Sequence, residues 1–597
     1  MDDLRLSAKQ EEAVASRARA ITIVASAGTG KTEVVARRVE RILIESEREE
    51  FRVLAVSYTV RAADGLSRRL ASRLGALHRR VDADTIHGFA LGCLRQHGTR
   101  IGLPLEPEVL TRLEDRHELL SEWLRREGRR PLDDPAETFR KLDLDRARGI
   151  TNLKVDSWRQ VLAEAGAVDY PAMLERASEL MQLPSVHRIY QALYRHVVVD
   201  EAQNLTRAQY RLLTDVIGYP NTDHISSVLI GDERQSIVGF AGADHTLMAE
   251  FETDYGAKRI ELDTNYRSAV RIAEAAEAVA NALDQPPEQL SVRFQAEGDI
   301  RIGEYPSEEA EGEAVADWIR RHLVDGLADC VVAPGESTSV DPEQLAVLGR
   351  SAAALNPTRE ALDKLDIAHA SASTPDEWVT SPSGQAIVEL IGLRSAPNHL
   401  SIRRRLSQLC EHPDPEAWSD VAGLFASSTD LGITKLTQIC DIDSPEQLIS
   451  ELDRLEIEDQ DWPDDARQLK DAWASFVDRT ATGSRSFAEF KQHITRCQRG
   501  DRLDPGVRLL TIHKAQGQEF KCVALVACNQ GQIPDFRSTT ADQVAAELRT
   551  FYVAVSRPTR SLLLTRSETR LTRYNLRDTE RSEFLSLVDP AASHASN

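Results

Sequence analysis

The run Ala20-Ile21-Thr22-Ile23-Val24, followed at once by Ala25-Ser26-Ala27-Gly28-Thr29-Gly30-Lys31-Thr32 and then by Glu33 to Leu43, decides the fold. A short β-branched apolar run reads as a buried strand, the glycine-containing segment as a tight loop, and the remainder as a helix. Strand, loop and helix in this order make a phosphate-binding loop. Ala27, Gly28, Thr29 and Gly30 let backbone N–H groups face inward around phosphates, Lys31 reaches the β- and γ-phosphates, and the Thr32 hydroxyl is placed to ligate magnesium. ATP and Mg2+ are therefore the expected ligands. Ala25 stands where such loops usually carry their first glycine.

Working outward, a second apolar run, His196-Val197-Val198-Val199, ends in Asp200-Glu201-Ala202-Gln203. Two acids after a buried strand suit a nucleotide hydrolase: Asp200 would hold magnesium through water, and Glu201 would orient and deprotonate the attacking water. A third run, Ser227-Val228-Leu229-Ile230, leads into Gly231-Asp232-Glu233-Arg234-Gln235, where the Gln235 amide can sense the γ-phosphate. Functional loops past the carboxyl ends of successive strands predict an open parallel α/β sheet of the RecA-like kind.

Further motifs follow in a set order. They are Leu6 to Val14 with Gln10, Ser57 to Ala63 with Thr59, Thr85 to Ala90 with His87, Leu262 to Ser268, Val507 to Phe520, and Phe551 to Arg557. Together they resemble the UvrD/Rep/PcrA group of superfamily 1 DNA helicases. The resemblance implies an α/β fold of two RecA-like parallel-sheet lobes, each interrupted by a mainly helical insertion. It also implies that Gln10 contacts the adenine, Tyr266 stacks on it, Glu519 meets the ribose, and Arg267 and Arg557 reach the γ-phosphate from the facing lobe. Two guanidinium groups supplied across a cleft neutralise charge on the transferred phosphoryl group only when the lobes close, which couples hydrolysis to lobe motion. Thr59, His87, Phe240, Thr511 and His513 are the implied DNA contacts. Phe240 reads either as a base-stacking platform or as core, and His87 and His513 either as DNA-facing or as structural.

The chain also departs from this pattern. Glu33 stands where these helicases commonly carry an arginine near the base, and Val238 and Ala241 replace a tyrosine and an arginine. Val60 replaces an asparagine, and Gln516 a common lysine. The hydrolysis residues remain, so the expectation is a competent ATPase with altered coupling to DNA.

The expected organisation is a first lobe over 1–90 and 196–268 with a helical insertion at 91–195, then a second lobe over 269–385 and 501–597 with a shortened helical insertion at 386–500. Within the second lobe, Gln344 to Ser351 reads as a buried strand. Arg125 to Arg130 in the first insertion reads as a solvated helix face or as a phosphate contact. The second insertion is marked by Arg403-Arg404-Arg405 and by Trp418, Trp462 and Trp473.

At 597 residues the chain is too long for one core. It holds nothing near the roughly 18 consecutive apolar residues of a membrane helix. The start, Met1-Asp2-Asp3-Leu4-Arg5, has no secretory pattern, and a cytoplasmic protein without a membrane partner is expected. Seven cysteines without a C-x-x-C pair argue against zinc, an iron–sulfur cluster or a disulfide framework. The net charge of -22 does not exclude a nucleic-acid partner, because a motor that releases phosphates at every step needs only a modest basic track. The resemblance implies single-stranded DNA and single-strand/duplex junctions as partners, and 3′-to-5′ translocation with unwinding of duplex, in repair, recombination or anti-phage defence, as the activity. The alternative is an ATP- and DNA-sensing subunit that licenses a separate nuclease, since the chain ends too soon after Arg557 to carry one.

Overall fold

The structure is a computed structural model. It describes residues 6–594 except 106, 112, 129, 131–133, 220–224, 284–290, 293–295, 328–335, 372–378, 380, 396–399, 413–417, 419, 460, 480–484, 500–505, 572–575 and 590–592. The chain divides into two compact units. The larger comprises Met1–Val109, Leu120–Ala372 and Leu503–Asn597; the smaller comprises Leu110–Leu119 and Ser373–Arg502.

The larger unit is built on two sheets, and each nucleates on runs buried on both faces. The first uses β1 (Ala20–Ala25), β2 (Arg52–Ser57), β3 (Val81–Thr85), β4 (Tyr194–Val199), β5 (Ser226–Gly231) and β6 (Lys258–Leu262) in the spatial order β3-β2-β4-β5-β1-β6. Every pairing is parallel, as expected for near-continuous apolar strands covered by helices. All carboxyl ends therefore share one edge, and the loops carrying Lys31, Thr59, His87, Asp200 and Gln235 emerge there. Helix α1 (Ala8–Ala15) is capped by Ser7, whose hydroxyl accepts from Gln10 N while the Gln10 side chain accepts from Ser7 N. Helix α2 (Lys31–Glu45) buries Val34, Val35, Val39, Ile42 and Leu43, a helical-period stripe against the sheet. Its buried Arg38 donates to Ala13 O and Ser16 O at 2.8 Å each, satisfying carbonyls at the end of α1.

The second sheet is formed by β7 (Asp299–Ser307), β8 (Leu345–Gly349), β9 (His369–Ser371), β10 (Val507–Thr511), β11 (Phe520–Leu525), β12 (Pro558–Leu571), β13 (Leu576–Asp578) and β14 (Ser593–His594). Its order is β9-β10-β8-β11-β12-β7-β14, parallel throughout, with β13 added antiparallel to β12. All five residues of β8 are buried, as the run around Gln344 to Ser351 predicts. The two lobes are thus RecA-like parallel α/β sheets, and helices fill the chain between β3 and β4.

The smaller unit is helical. It packs Pro382–Ser395, Leu400–Leu409, Trp462–Arg479 and Phe487–Arg499 around Ile387, Leu390, Leu406, Phe425 and Phe490. Its limits differ from those expected. Residues 110–119 join this unit instead of the first insertion, because Arg405 Nη1 donates to both oxygens of Asp115 at 2.8 and 2.9 Å. The unit also begins at Ser373, not 386, since the helix Pro382–Ser395 contributes its apolar residues to this core. The Arg403-Arg404-Arg405 run is engaged internally. Arg403 lies 3.8 Å over the Trp418 ring, Arg404 pairs with Glu118, and Arg405 pairs with Asp115 and Glu389. Arg125 and Arg126 are exposed at the end of their helix. Among the described residues no helix is long and apolar enough to cross a membrane, and no group of three or more His, Cys, Asp or Glu could hold a metal ion.

Candidate active site

The phosphate loop turns on Gly28 and Gly30, both at φ +81°, a conformation that side chains resist. A Cβ on Gly28 would also lie 2.6 Å from Asn265 Oδ1. Neighbouring side chains brace the loop. Thr29 Oγ1 donates to Ser26 O at 2.8 Å, Gln10 Nε2 to Thr29 O at 2.9 Å, and Asn265 Nδ2 to Ala27 O at 3.2 Å, while Tyr266 N donates to Gly28 O at 2.9 Å. Gln10 and Tyr266, the two residues expected at the adenine, are thus brought to the same loop. Lys31 and Thr32 open α2 just beyond it.

Across the loop stand the two acids at the end of β4. Lys31 Nζ lies 4.0 Å from Glu201 Oε1. Glu201 adopts φ 55°, ψ 40°, a left-handed conformation that costs a non-glycine residue about 1–3 kcal/mol and marks a position held by its surroundings. Gln203 supplies part of that hold, since its Nε2 donates to Glu201 Oε2 at 2.5 Å. Asp200 is buried, and burial, followed by the adjacent Glu201 charge, pushes its carboxyl above the usual carboxylate range. A desolvated carboxylate beside a second acid is relieved by a divalent cation, so Asp200, with Thr32 in the facing first turn, fits magnesium.

The second lobe reaches this cleft through the helix Ala541–Val555 and the turn after it. Arg557 is fully buried and its Nη2 donates to Gln235 Oε1 at 2.9 Å. Its Nε and Nη1 donate to Val553 O and Gln518 O. Burial, and next the nearby Arg267 charge, lower the Arg557 guanidinium to about 10. An anionic substrate would offset the desolvation of this buried guanidinium. Arg267 Nη2 donates to Ser556 O at 2.7 Å and its Nη1 to Glu519 Oε2 at 3.3 Å, so the arginine expected at the γ-phosphate and the acid expected at the ribose here contact each other. Gln516 crosses between the lobes too, donating to Gln235 O at 2.8 Å and Asn204 Oδ1 at 3.3 Å.

Phe240 is 68% exposed, which excludes the core reading, and its ring meets that of His513 edge to face at a centroid distance of 5.4 Å. Burial, and next Arg350, hold the His513 imidazole below its usual value. Thr59 is exposed and caps the helix Val60–Leu74 by accepting from Ala62 N. His87 packs edge to face on Tyr170, and Thr511 ends β10 two residues before His513. Glu33 is drawn to Arg37 at 2.6 Å and Arg73 at 3.1 Å, so the departure at this position is a helix-surface ion-pair network. The sequence reading assigned nothing to Asn265, Gln203, Asp232 or Tyr552. They are neutral or common residue types inside motifs read for their charges, and the signal available was their place within those motifs.

The UvrD/REP helicase N-terminal domain model matches residues 6–154 and 145–256, and the UvrD-like helicase C-terminal domain model matches residues 450–569. DNA helicase II of Escherichia coli K12 is 24% identical over 95% of this chain and 85% of its own length. ATP-dependent DNA helicase PcrA of Bacillus subtilis 168 is 26% identical over 95% and 83%, and PcrA of Staphylococcus epidermidis RP62A is 23% identical over 95% and 84%. With two parallel-sheet lobes, a braced phosphate loop and family matches on both halves, the chain belongs to the UvrD/Rep helicase family.

Proposed function

We propose that this chain is a DNA-dependent ATPase that moves 3′ to 5′ on single-stranded DNA and opens single-strand/duplex junctions, working on the intermediates of repair, recombination or defence against phage. The observation that carries the reading is the Arg557–Gln235 contact, in which a second-lobe guanidinium meets a first-lobe amide beside the phosphate loop. In this reading Lys31 and the loop N–H groups of Ala27 to Thr32 hold the β- and γ-phosphates. Glu201, oriented by Gln203, accepts the proton of the attacking water, and Gln235 holds that water or the γ-phosphate. Arg267 and Arg557 exchange their present carbonyl and amide partners for the charge developing on the phosphoryl group. Asp200 and Thr32 would hold magnesium, which supplies neutralisation of the β- and γ-oxygens when bound. Gln10 and Tyr266 take the adenine, and Glu519 the ribose once Arg267 has left it.

Because Arg557 comes from the second lobe and Arg267, at the end of the first-lobe segment, touches Ser556 O and Glu519 of the second, substrate binding favours closure and product release favours opening. Alternating grip on DNA by Thr59 and His87 in one lobe and Thr511 and His513 in the other, with Phe240 stacking on a base, converts that cycle into movement.

The test is ATP hydrolysis with and without single-stranded DNA, in wild type and Glu201→Gln, with unwinding of a 3′-tailed duplex followed in the same samples. The expected result is strong stimulation by DNA, unwinding, and loss of both in Glu201→Gln by about a thousandfold or more, with ATP binding retained. Stimulated hydrolysis without unwinding would replace the motor by the sensor that licenses a separate nuclease. A wild type silent in every condition would refute an autonomous ATPase.

A further inference from the structure

Asp232 has no exposed surface and no role in the chemistry above, yet two groups of that chemistry, Gln203 and Gln235, and two others, Arg234 and Tyr552, converge on it. Its Oδ1 accepts from Arg234 Nε at 3.1 Å, and Arg234 Nη2 continues to Ser26 Oγ of the phosphate loop at 2.5 Å. Its Oδ2 accepts from Gln235 Nε2 at 2.8 Å. Its backbone N–H donates to Gln203 Oε1 at 3.1 Å, and the other end of that amide holds Glu201. The fourth group comes from the other lobe: the buried Tyr552 hydroxyl donates to Oδ2 at 3.1 Å.

We propose that Asp232 is a junction through which the second lobe positions the hydrolysis machinery, with Tyr552 as its input and Arg234, Gln203 and Gln235 as its outputs. The proposal rests on the ATPase reading above. Tyr552 and Arg557 lie five residues apart on one helix and its following turn, so they arrive at the first lobe and leave it together. Arg557 holds the oxygen end of the Gln235 amide, and Asp232 holds the nitrogen end. With Tyr552 in place, Asp232 Oδ2 is shared by two donors and the Gln235 amide is fixed at both ends. When the second lobe withdraws, Oδ2 is left to one donor and the amide is free to turn. The same withdrawal loosens the main chain that anchors Gln203, and with it the orientation of Glu201. Tyr552 and Arg234 are positioning residues in this scheme, acting through the Asp232 carboxylate and the groups it holds.

The experiment is steady-state ATP hydrolysis on the full chain with saturating single-stranded DNA, comparing wild type, Tyr552→Phe, Gln203→Met and the double variant. Melting temperatures are measured on the same samples. Tyr552→Phe keeps the ring and its packing, so the protein folds. Its kcat is expected to fall about five- to tenfold, the loss that one buried hydrogen bond produces, while KM for ATP stays within about twofold. The double variant is expected to lose less than the product of the two single losses, because both changes break the same path to Glu201. An unchanged kcat in Tyr552→Phe, or losses that multiply in the double variant, would overturn the junction. So would a fall in kcat matched by a rise in KM and a lower melting temperature, the pattern of a merely structural contact. A silent wild type would instead remove the ATPase reading on which the proposal rests.

Discussion

Gly231, the last residue of β5, is fixed by what its missing side chain permits. A Cβ there would lie 2.4 Å from Gln203 Oε1, the tip of a side chain whose amide is held at both ends, and 3.0 Å from the main-chain Gln203 N. Gly231→Ala must therefore displace the amide that orients Glu201. We expect destabilisation of about 1–3 kcal/mol from overpacking and a fall in kcat of about tenfold or more, with ATP binding retained. Urea unfolding and steady-state kinetics on the same preparation check both parts. His196 on β4 makes a second residue-scale prediction, because burial, then the nearby Arg38 charge, lower its imidazole from 6.5 to about 4. The ring packs against Phe51 at a centroid distance of 5.3 Å, and among the described residues its Nδ1 has no hydrogen-bond partner. The sign follows from where protons bind. Between 6.5 and 4 the unfolded chain takes up a proton that the folded chain refuses, so the contribution present above pH 6.5 is lost as pH falls toward 4. His196→Gln should flatten that part of the stability profile, and an unchanged slope in urea titrations across this range would contradict the assignment.

At the scale of elements, the helical unit shows how far burial outweighs charge. Arg404 pairs with Glu118 at 3.4 Å, where Glu118 is 40% exposed; Arg405 pairs with Asp115 and Glu389, which are 11% and 6% exposed. Removing one partner of a buried pair strands the other charge, whereas an exposed pair is screened by water. Arg405→Met should cost about 2–4 kcal/mol and free the 110–119 segment for proteolysis, while Arg404→Gln should cost less than about 1 kcal/mol. Equal effects in urea unfolding and limited proteolysis would refute the distinction. The same segment marks where the sequence was opaque. The strands around Ile21, Val198, Leu229 and Val347 were legible because short apolar runs bounded by turn residues read as buried strands, and Lys31, Asp200 and Glu201 were legible because their charges follow such runs. Nothing local ties residues 110–119 to a unit almost 300 residues later, since the ion pairs that make the tie are Arg405 with Asp115 and Arg404 with Glu118. Asp232 was legible as part of a motif, but its partners Tyr552 and Gln203 become neighbours only when two lobes fold against each other.

At the scale of the whole molecule, the net charge of -22 bears on how DNA is held. The triple-arginine run is consumed by internal partners, which leaves little of it for phosphates. Affinity for single strands depends on salt with a slope of about −0.7 per phosphate neutralised, so three to five phosphate contacts give a slope of about −2 to −3.5. Base stacking adds affinity without releasing counterions, and Phe240, exposed and braced by His513, is placed for that role. Phe240→Ala should therefore weaken binding of a fluorescent oligonucleotide by about 1–3 kcal/mol at every salt concentration and leave the slope unchanged. Anisotropy titrations from low to high salt distinguish the terms. A parallel downward shift assigns Phe240 to stacking, whereas a shallower slope would mean that its removal displaces cations and that the strand is gripped through phosphates. A superimposable line would take Phe240 off the DNA path, with the grip left to the threonines and histidines at the strand ends.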